Sequence, residues 1–219
     1  MSVNKEEYQS IISELNSKNV GLIAVSKTKS VENIRELYEL GQKDFGENYV
    51  QELIDKQAAL PKDICWHFIG HLQTNKVKFI APFIHLIQSV DSLKLLQEIN
   101  KQAKKNNRTI NCLLQIHIAI EETKFGLDEE ELNSTIQQFD NSTMKNISIK
   151  GLMGMASFTN DMNKLRNEFK YLKSLYNKFS ILHSPFSILS MGMSSDYKIA
   201  IEEDSTMVRI GSLLFGARK

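Results

Sequence analysis

Lys27 ends a short apolar run, Leu22-Ile23-Ala24-Val25-Ser26, and a helix-start signal stands directly behind it. A buried strand here delivers an amine to the carboxyl edge of a sheet. Lysine is costly to bury unless it is paired or used chemically, so a strand-end lysine is a candidate amine for Schiff-base chemistry. The competing reading is a charge that simply leaves the sheet edge. Near the far end of the chain, Met207-Val208-Arg209-Ile210-Gly211-Ser212 presents a guanidinium in the same way. Two turns nearby suit an anion. Ser190-Met191-Gly192-Met193-Ser194-Ser195-Asp196 leads into residues 197–201, and Gly211-Ser212 leads into Leu213-Leu214-Phe215-Gly216. Gly192 permits a tight turn, and serines can cap a helix whose free N–H groups face a phosphate. Either turn alone reads as an ordinary loop-to-helix connection.

These groups act together only if strands bring them to one rim. Helical and extended patterns alternate along the whole chain. A helix over about 3–18 shows Tyr8, Ile11, Ile12 and Leu15 on one face. Strands are expected near 21–26, 43–46, 66–69, 85–88, 112–120, 147–153, 186–189 and 207–210. Ser30 can cap a helix that Gly41 ends, and Asp91 can cap one showing Leu96, Ile99 and Ala103. Strands separated by helices in this order predict an α/β fold, a single (β/α)8 TIM barrel, with an open doubly wound sheet as the alternative. No Pro/Gly/Ser linker divides residues 1–219, so one domain is expected. A barrel closes its first strand onto its eighth. Lys27, Arg209 and both turns can then surround one phosphorylated ligand, because such barrels bind phosphate after strands 7 and 8.

The bulk properties remove several alternatives. Net charge is +1, from 27 basic and 26 acidic residues, which gives no reason to expect nucleic acid or an anionic membrane as partner. No apolar stretch approaches the ~20 residues that span a bilayer. The first residues lack a signal-peptide core, so the cytoplasm is the expected compartment. There Cys65 and Cys112 read as reduced core thiols. His67 and His71 straddle a strand end and Gly70, which favours separate partners over a shared ion, and no metal site is expected. His85 and His117 read as core histidines, and the cluster from Lys101 to Arg108 as a solvated helix end. Met153, Met155, Met191 and Met193 read as core and pocket lining.

Several segments together resemble the pyridoxal phosphate homeostasis protein family, small barrels related to alanine racemase. They are Ala24-Val25-Ser26-Lys27-Thr28-Lys29, Phe45-Gly46-Glu47-Asn48-Tyr49, Trp66-His67-Phe68-Ile69-Gly70-His71-Leu72-Gln73, Lys124-Phe125-Gly126, Gly151-Leu152-Met153, Leu189-Ser190-Met191-Gly192-Met193-Ser194 and Met207-Val208-Arg209-Ile210-Gly211. The resemblance runs from about residue 20 to the end. It implies a type III barrel that binds pyridoxal 5'-phosphate (PLP) and lacks the second β-domain of the racemases. It further implies Lys27 as the Schiff-base lysine, with Lys29 its neighbour, and Arg209 facing the pyridine nitrogen. Ser190, Gly192, Met193, Ser194, Gly211 and Ser212 match the cofactor-binding turns. Asn48 and His67 lie on motifs at the cofactor mouth, and Lys124 matches a basic residue near the ring hydroxyl. Ser157 stands where proline is more frequent, Asp204 where glycine is common, and Ser212 where threonine is frequent.

The implied role is PLP homeostasis: a cytoplasmic monomer without established turnover that holds the cofactor and hands it to PLP-dependent apoenzymes. The rival readings are a PLP-dependent amino-acid racemase and a small-sugar aldolase using Lys27. Racemisation needs two acid/base groups flanking Cα. Lys27 is one. In the racemases that the chain resembles the other is a tyrosine from a second β-domain supplied by a partner subunit, and this chain is expected to lack that domain. Only Tyr49 and Tyr197 lie near the expected mouth.

Overall fold

The computed structural model describes residues 3–121, 125–182 and 186–216. Eight parallel strands form a closed barrel in sequence order: β1 (Gly21–Val25), β2 (Asp44–Glu47), β3 (Cys65–Phe68), β4 (Leu86–Val90), β5 (Ile110–Ile116), β6 (Ile147–Gly154), β7 (Ile188–Met193) and β8 (Met207–Ile210). Closure is direct, with Ile23 opposite Arg209 and Ala24 opposite Ile210. That pairing sets Lys27 beside the turn that follows β8.

Helices cover the barrel: α1 (Lys5–Ser17), α2 (Val31–Glu39), α3 (Val50–Ala59), α4 (Val77–Ile80), α5 (Leu93–Lys105), α6 (Glu129–Asp140), α7 (Met162–Leu182), α8 (Tyr197–Glu202) and α9 (Ser212–Phe215). Their starts follow from local chemistry. The Asn4 side chain accepts from the Glu7 amide, and Ser30 caps α2 through the Asn33 amide. Each such cap contributes about 1 kcal/mol. The main core lies between the helices and the outer face of the barrel. A smaller apolar cluster, Leu86, Leu113 and Met153, fills part of the interior.

Several expectations shift. The seventh strand starts later than 186 and runs to Met193, with a register shift against β8 at the left-handed Gly192 (φ 95°). Such a bulge re-aims the residues after it. The fifth strand ends at Ile116, where His117 turns to bond the Leu127 carbonyl. Ser92, not Asp91, caps α5, and Asp91 bonds His71 instead. His85 is exposed, because β4 begins only after it. Arg108 is not a solvated helix end: it donates to the Ala81 and Ile84 carbonyls and pins the turn before β4. Cys65 and Cys112 are both free thiols. Among the described residues, no helix is long and apolar enough to cross a membrane.

Candidate functional site

Lys27 follows β1 at the carboxyl rim, and its backbone is held from behind by buried charges. Ser26 is fully buried, and its hydroxyl donates to Glu47 Oε1 at 2.6 Å. Lys56, on the inward face of α3, donates to the Ser26 carbonyl, Glu47 Oε1 and Glu52 Oε1, each at 2.7 Å. Glu52 Oε1 also accepts from the Thr28 amide at 2.5 Å. Thr28 itself is left-handed, φ 65°. The residues on both sides of Lys27 are therefore fixed by one carboxylate–ammonium cluster. Burial pushes the Glu47 carboxyl up, and Lys56 and Ser26 oppose that shift.

Arg209 enters the same rim from β8, 3% exposed. It donates to Ser190 Oγ at 2.6 Å and to the Gly154 carbonyl at 2.9 Å. Burial lowers its pKa to about 10, with Asp196 pulling the other way, so the guanidinium is charged at neutral pH. Behind it a chain of hydrogen bonds crosses the barrel interior. Ser190 donates to Gln88 Oε1 at 2.7 Å, and Gln88 Nε2 meets His67 Nδ1 at 3.1 Å. His67 Nε2 then meets Asp44 Oδ1 at 2.9 Å. Burial holds His67 below the usual histidine range, so the last contact is a hydrogen bond from a neutral ring.

The turns after β7 and β8 close on each other. Ser194 Oγ accepts from the Gly211 amide at 3.1 Å, and the Asp196 carboxylate accepts from the Met193 amide at 2.5 Å. A Cβ at Gly192 would stand 2.6 Å from the Ala200 Cβ, so only glycine fits this φ and this spacing. Gly70 is equally constrained: a Cβ there would meet the Asn48 carbonyl at 2.4 Å.

These elements enclose one cavity of about 510 Å³, lined by Lys27, Lys29, Asn48, Met193, Ser194, Arg209, Gly211 and Ser212 among others. Most of the expected site residues are thus brought together. Ser190, Gly192 and His67 do not line it. Ser190 and His67 lie deeper in the barrel, Ser190 beneath Arg209 and His67 toward Asp44. Gly192 shapes the wall from behind. Lys124 lies outside the described residues. Lys29 lines the cavity while donating to the Phe215 and Gly216 carbonyls, at 3.1 and 3.2 Å.

Sequence reasoning missed Val25, Ile69 and Phe158 in the lining and named Ser195, Leu213 and Gly216 only as members of the two anion-facing turns. It also missed the Lys56 cluster and Gln88 behind the cavity. A lysine on the apolar stripe of α3, three residues after Leu53, was the available signal for the cluster. His67 and His71 do have separate partners. His71 bonds Asp91 at 3.0 Å and stacks on Phe125 at 4.0 Å. Two of the three departures from the family pattern are accommodated locally. Ser157 binds buried Glu168 through both its amide and its hydroxyl, each at 2.6 Å, and Asp204 adopts the left-handed φ of 64° that glycine would suit.

Comparison with known proteins agrees with this architecture. Residues 5–219 match the family described as alanine racemase, N-terminal domain. A relative from Aquifex aeolicus named pyridoxal phosphate homeostasis protein is 41% identical over 203 residues, 90% of this chain and 87% of that one. A human protein of the same name is 41% identical over 211 residues, 90% of this chain and 76% of its own length. The structure of PipY from Synechococcus elongatus with PLP bound superimposes with a TM-score of 0.87 at 34% identity, covering 96% of this chain and 99% of that one. Alanine racemase from Bartonella henselae shares the fold, with a TM-score of 0.70 at 17% identity over 97% of this chain and 59% of its own. The barrel, its closure order and these relatives together show that the chain belongs to the pyridoxal phosphate homeostasis protein family.

Proposed function

We propose that this chain binds PLP in the cavity at the carboxyl rim, holds it covalently through Lys27, and hands it on without transforming amino acids. The carrying observation is that Lys27, Arg209 and two interlocked serine–glycine turns line the same cavity of about 510 Å³. The residues fit the cofactor. Asn48 lines the cavity with a buried Oδ1 that has no hydrogen-bond partner, an acceptor available to a ligand donor. Ser194, Ser195 and Ser212 offer hydroxyls where a phosphate would lie, and Gly211 keeps the wall low beside Val25. The relatives' names, and PLP in the PipY structure, support the same ligand.

Bound PLP supplies an aldehyde and an electron-accepting ring. Lys27 provides the amine, its direction set by the cluster behind it. Arg209 provides a fixed, buried cation on the cavity wall. Two cations in contact are disfavoured, so a ring nitrogen held against it would stay unprotonated and the ring would be a weaker electron sink. Racemisation also needs a second acid/base group. Among the described lining residues the ionisable side chains are Lys27, Lys29 and Arg209. Tyr49 is exposed and does not line the cavity. Tyr197 is buried against Glu14 with its pKa pushed up to about 12. Two free thiols suit a reducing compartment. The proposal extends to a cytoplasmic location, and to a monomer that serves PLP-dependent apoenzymes.

The test is the visible spectrum of protein incubated with PLP, followed by borohydride reduction and peptide mapping. Reduced cofactor on Lys27 is expected; recovery on Lys29, or on no lysine, defeats the assignment. Alanine and serine enantiomers should keep their chirality in the loaded protein. Sustained inversion that Lys27→Ala abolishes would make the chain a racemase.

A further inference from the structure

The geometry points to a second site at the opposite mouth of the barrel, where Asp44, His67 and His85 bind one divalent transition-metal ion. Asp44 opens β2, His67 lies on β3, and His85 immediately precedes β4. Their ligand atoms all lie within 4.8 Å of one another. Asp44 Oδ1 and His67 Nε2 are 2.9 Å apart, the spacing of ligands at right angles on an ion with bonds of about 2.0–2.1 Å; a tetrahedral ion would need them to part by roughly 0.4 Å. The two imidazole rings are 5.4 Å apart and tilted by 48°, so they converge without stacking.

Two imidazoles and one carboxylate are the donor set that zinc, cobalt, nickel and iron(II) favour, and three protein ligands leave positions open for water. The surroundings match. Gln88 holds Nδ1 of His67 at 3.1 Å; when His67 Nε2 carries the ion the amide can turn to accept a proton there, Gln88 Nε2 then donating to Ser190 Oγ in place of the present bond from Ser190 to Oε1. The cation nearest in sequence, Lys43, is drawn away to Asp63 at 2.7 Å and over the Tyr38 ring at 3.8 Å. An ion has a path in: His85 is exposed, the Asp44 side chain is 42% exposed, and Asp44 borders a cavity of about 520 Å³ with Gln42 and Lys43. Satisfying a buried His67 ring requires only Asp44 and Gln88. The exposed imidazole of His85 is the component that this simpler account leaves without a purpose.

Cobalt(II) is the probe, because nitrogen ligation gives it visible ligand-field bands. The full chain, without added PLP, should bind one cobalt ion per molecule, and zinc should displace it. His85→Ala and Asp44→Ala, both at accessible positions, should each weaken cobalt by at least about 100-fold, since loss of an outer-shell partner alone typically costs 10–100-fold. Both variants should keep the wild-type circular dichroism, which establishes that they fold, and His85→Ala, which lies outside the hydrogen-bond chain behind Arg209, should also keep the PLP absorbance. His71→Ala should leave cobalt binding unchanged. Absence of saturable binding overturns the site. So does binding that survives removal of either His85 or Asp44, or that is lost with His71.

Discussion

Replacing Lys56 by methionine keeps the volume of the side chain and removes its charge. In the native barrel this ammonium is 6% exposed and serves the fully buried Glu47, the 23%-exposed Glu52 and the Ser26 carbonyl. Breaking a buried ion pair by removing one partner costs about 3–5 kcal/mol, because the other charge stays buried and uncompensated. Glu52 can turn to water; Glu47 cannot. For a chain of this size each kcal/mol moves the melting temperature by about 2–4 °C, so a fall of roughly 6–20 °C is expected. The sign with pH is also determined. Glu47 is already pushed up by burial, and Lys56 is the largest influence holding it down. Without Lys56 its folded-state pKa rises further above the unfolded value. An acid shifted upward is penalised above its folded pKa and relieved as pH falls through it. The deficit of the variant should therefore be largest near neutrality and shrink toward mild acid, and Glu47→Gln in the same chain should restore part of it. Thermal melts of the three chains at neutral pH and at mildly acidic pH measure this. A deficit below about 1 kcal/mol, or one that grows as pH falls, refutes the reasoning.

Lys27→Ala should abolish borohydride-stable PLP on the protein while leaving its melting temperature within a few degrees, which peptide mapping and calorimetry check together. Arg209→Glu should shift the visible band of the bound cofactor and weaken its retention on dialysis; an unchanged spectrum with full retention places the guanidinium away from the ring. Gly192→Ala must relieve a 2.6 Å approach to the Ala200 Cβ at a φ of 95°, a change expected to cost about 1–3 kcal/mol. It should weaken PLP more than pyridoxal, as equilibrium dialysis of both would show. Burial pushes both thiols up, far more for fully buried Cys112 than for Cys65. A thiol reagent should therefore titrate Cys65 slowly in the native protein and Cys112 only after denaturation.

The face of each strand was legible in the sequence; its depth along the barrel axis was not. Apolar runs ending in Lys27 and Arg209 announced two strand ends, and the barrel then brought them together. A two-residue period says that Ser190 and His67 point inward, yet nothing local says that they lie below the ligand layer. Gln88 escaped notice because its partner Ser190 is 102 residues away. Lys56 escaped for the same reason, with Ser26 30 residues distant. His85 was misjudged from its apolar neighbours, because burial changes sharply where a strand begins. Helix α6 was overlooked although its signal was local: Asp128 and Glu131 form a reciprocal capping box.

Threonine at position 28 has a consequence for anyone who would stabilise this scaffold. A β-branched side chain at φ 65° is held in a conformation that costs on the order of 1–3 kcal/mol. Glycine would adopt it without that cost, so Thr28→Gly is the kind of change a stability screen rewards. It would also return rotational freedom to the peptide that follows Lys27. The gain in folding free energy and the loss of aim for the amine come from the same dihedral angle. A heat-selected version of this barrel that acquired glycine at 28 should melt later and grip its ligand less well, a stability–activity trade-off located in one backbone torsion.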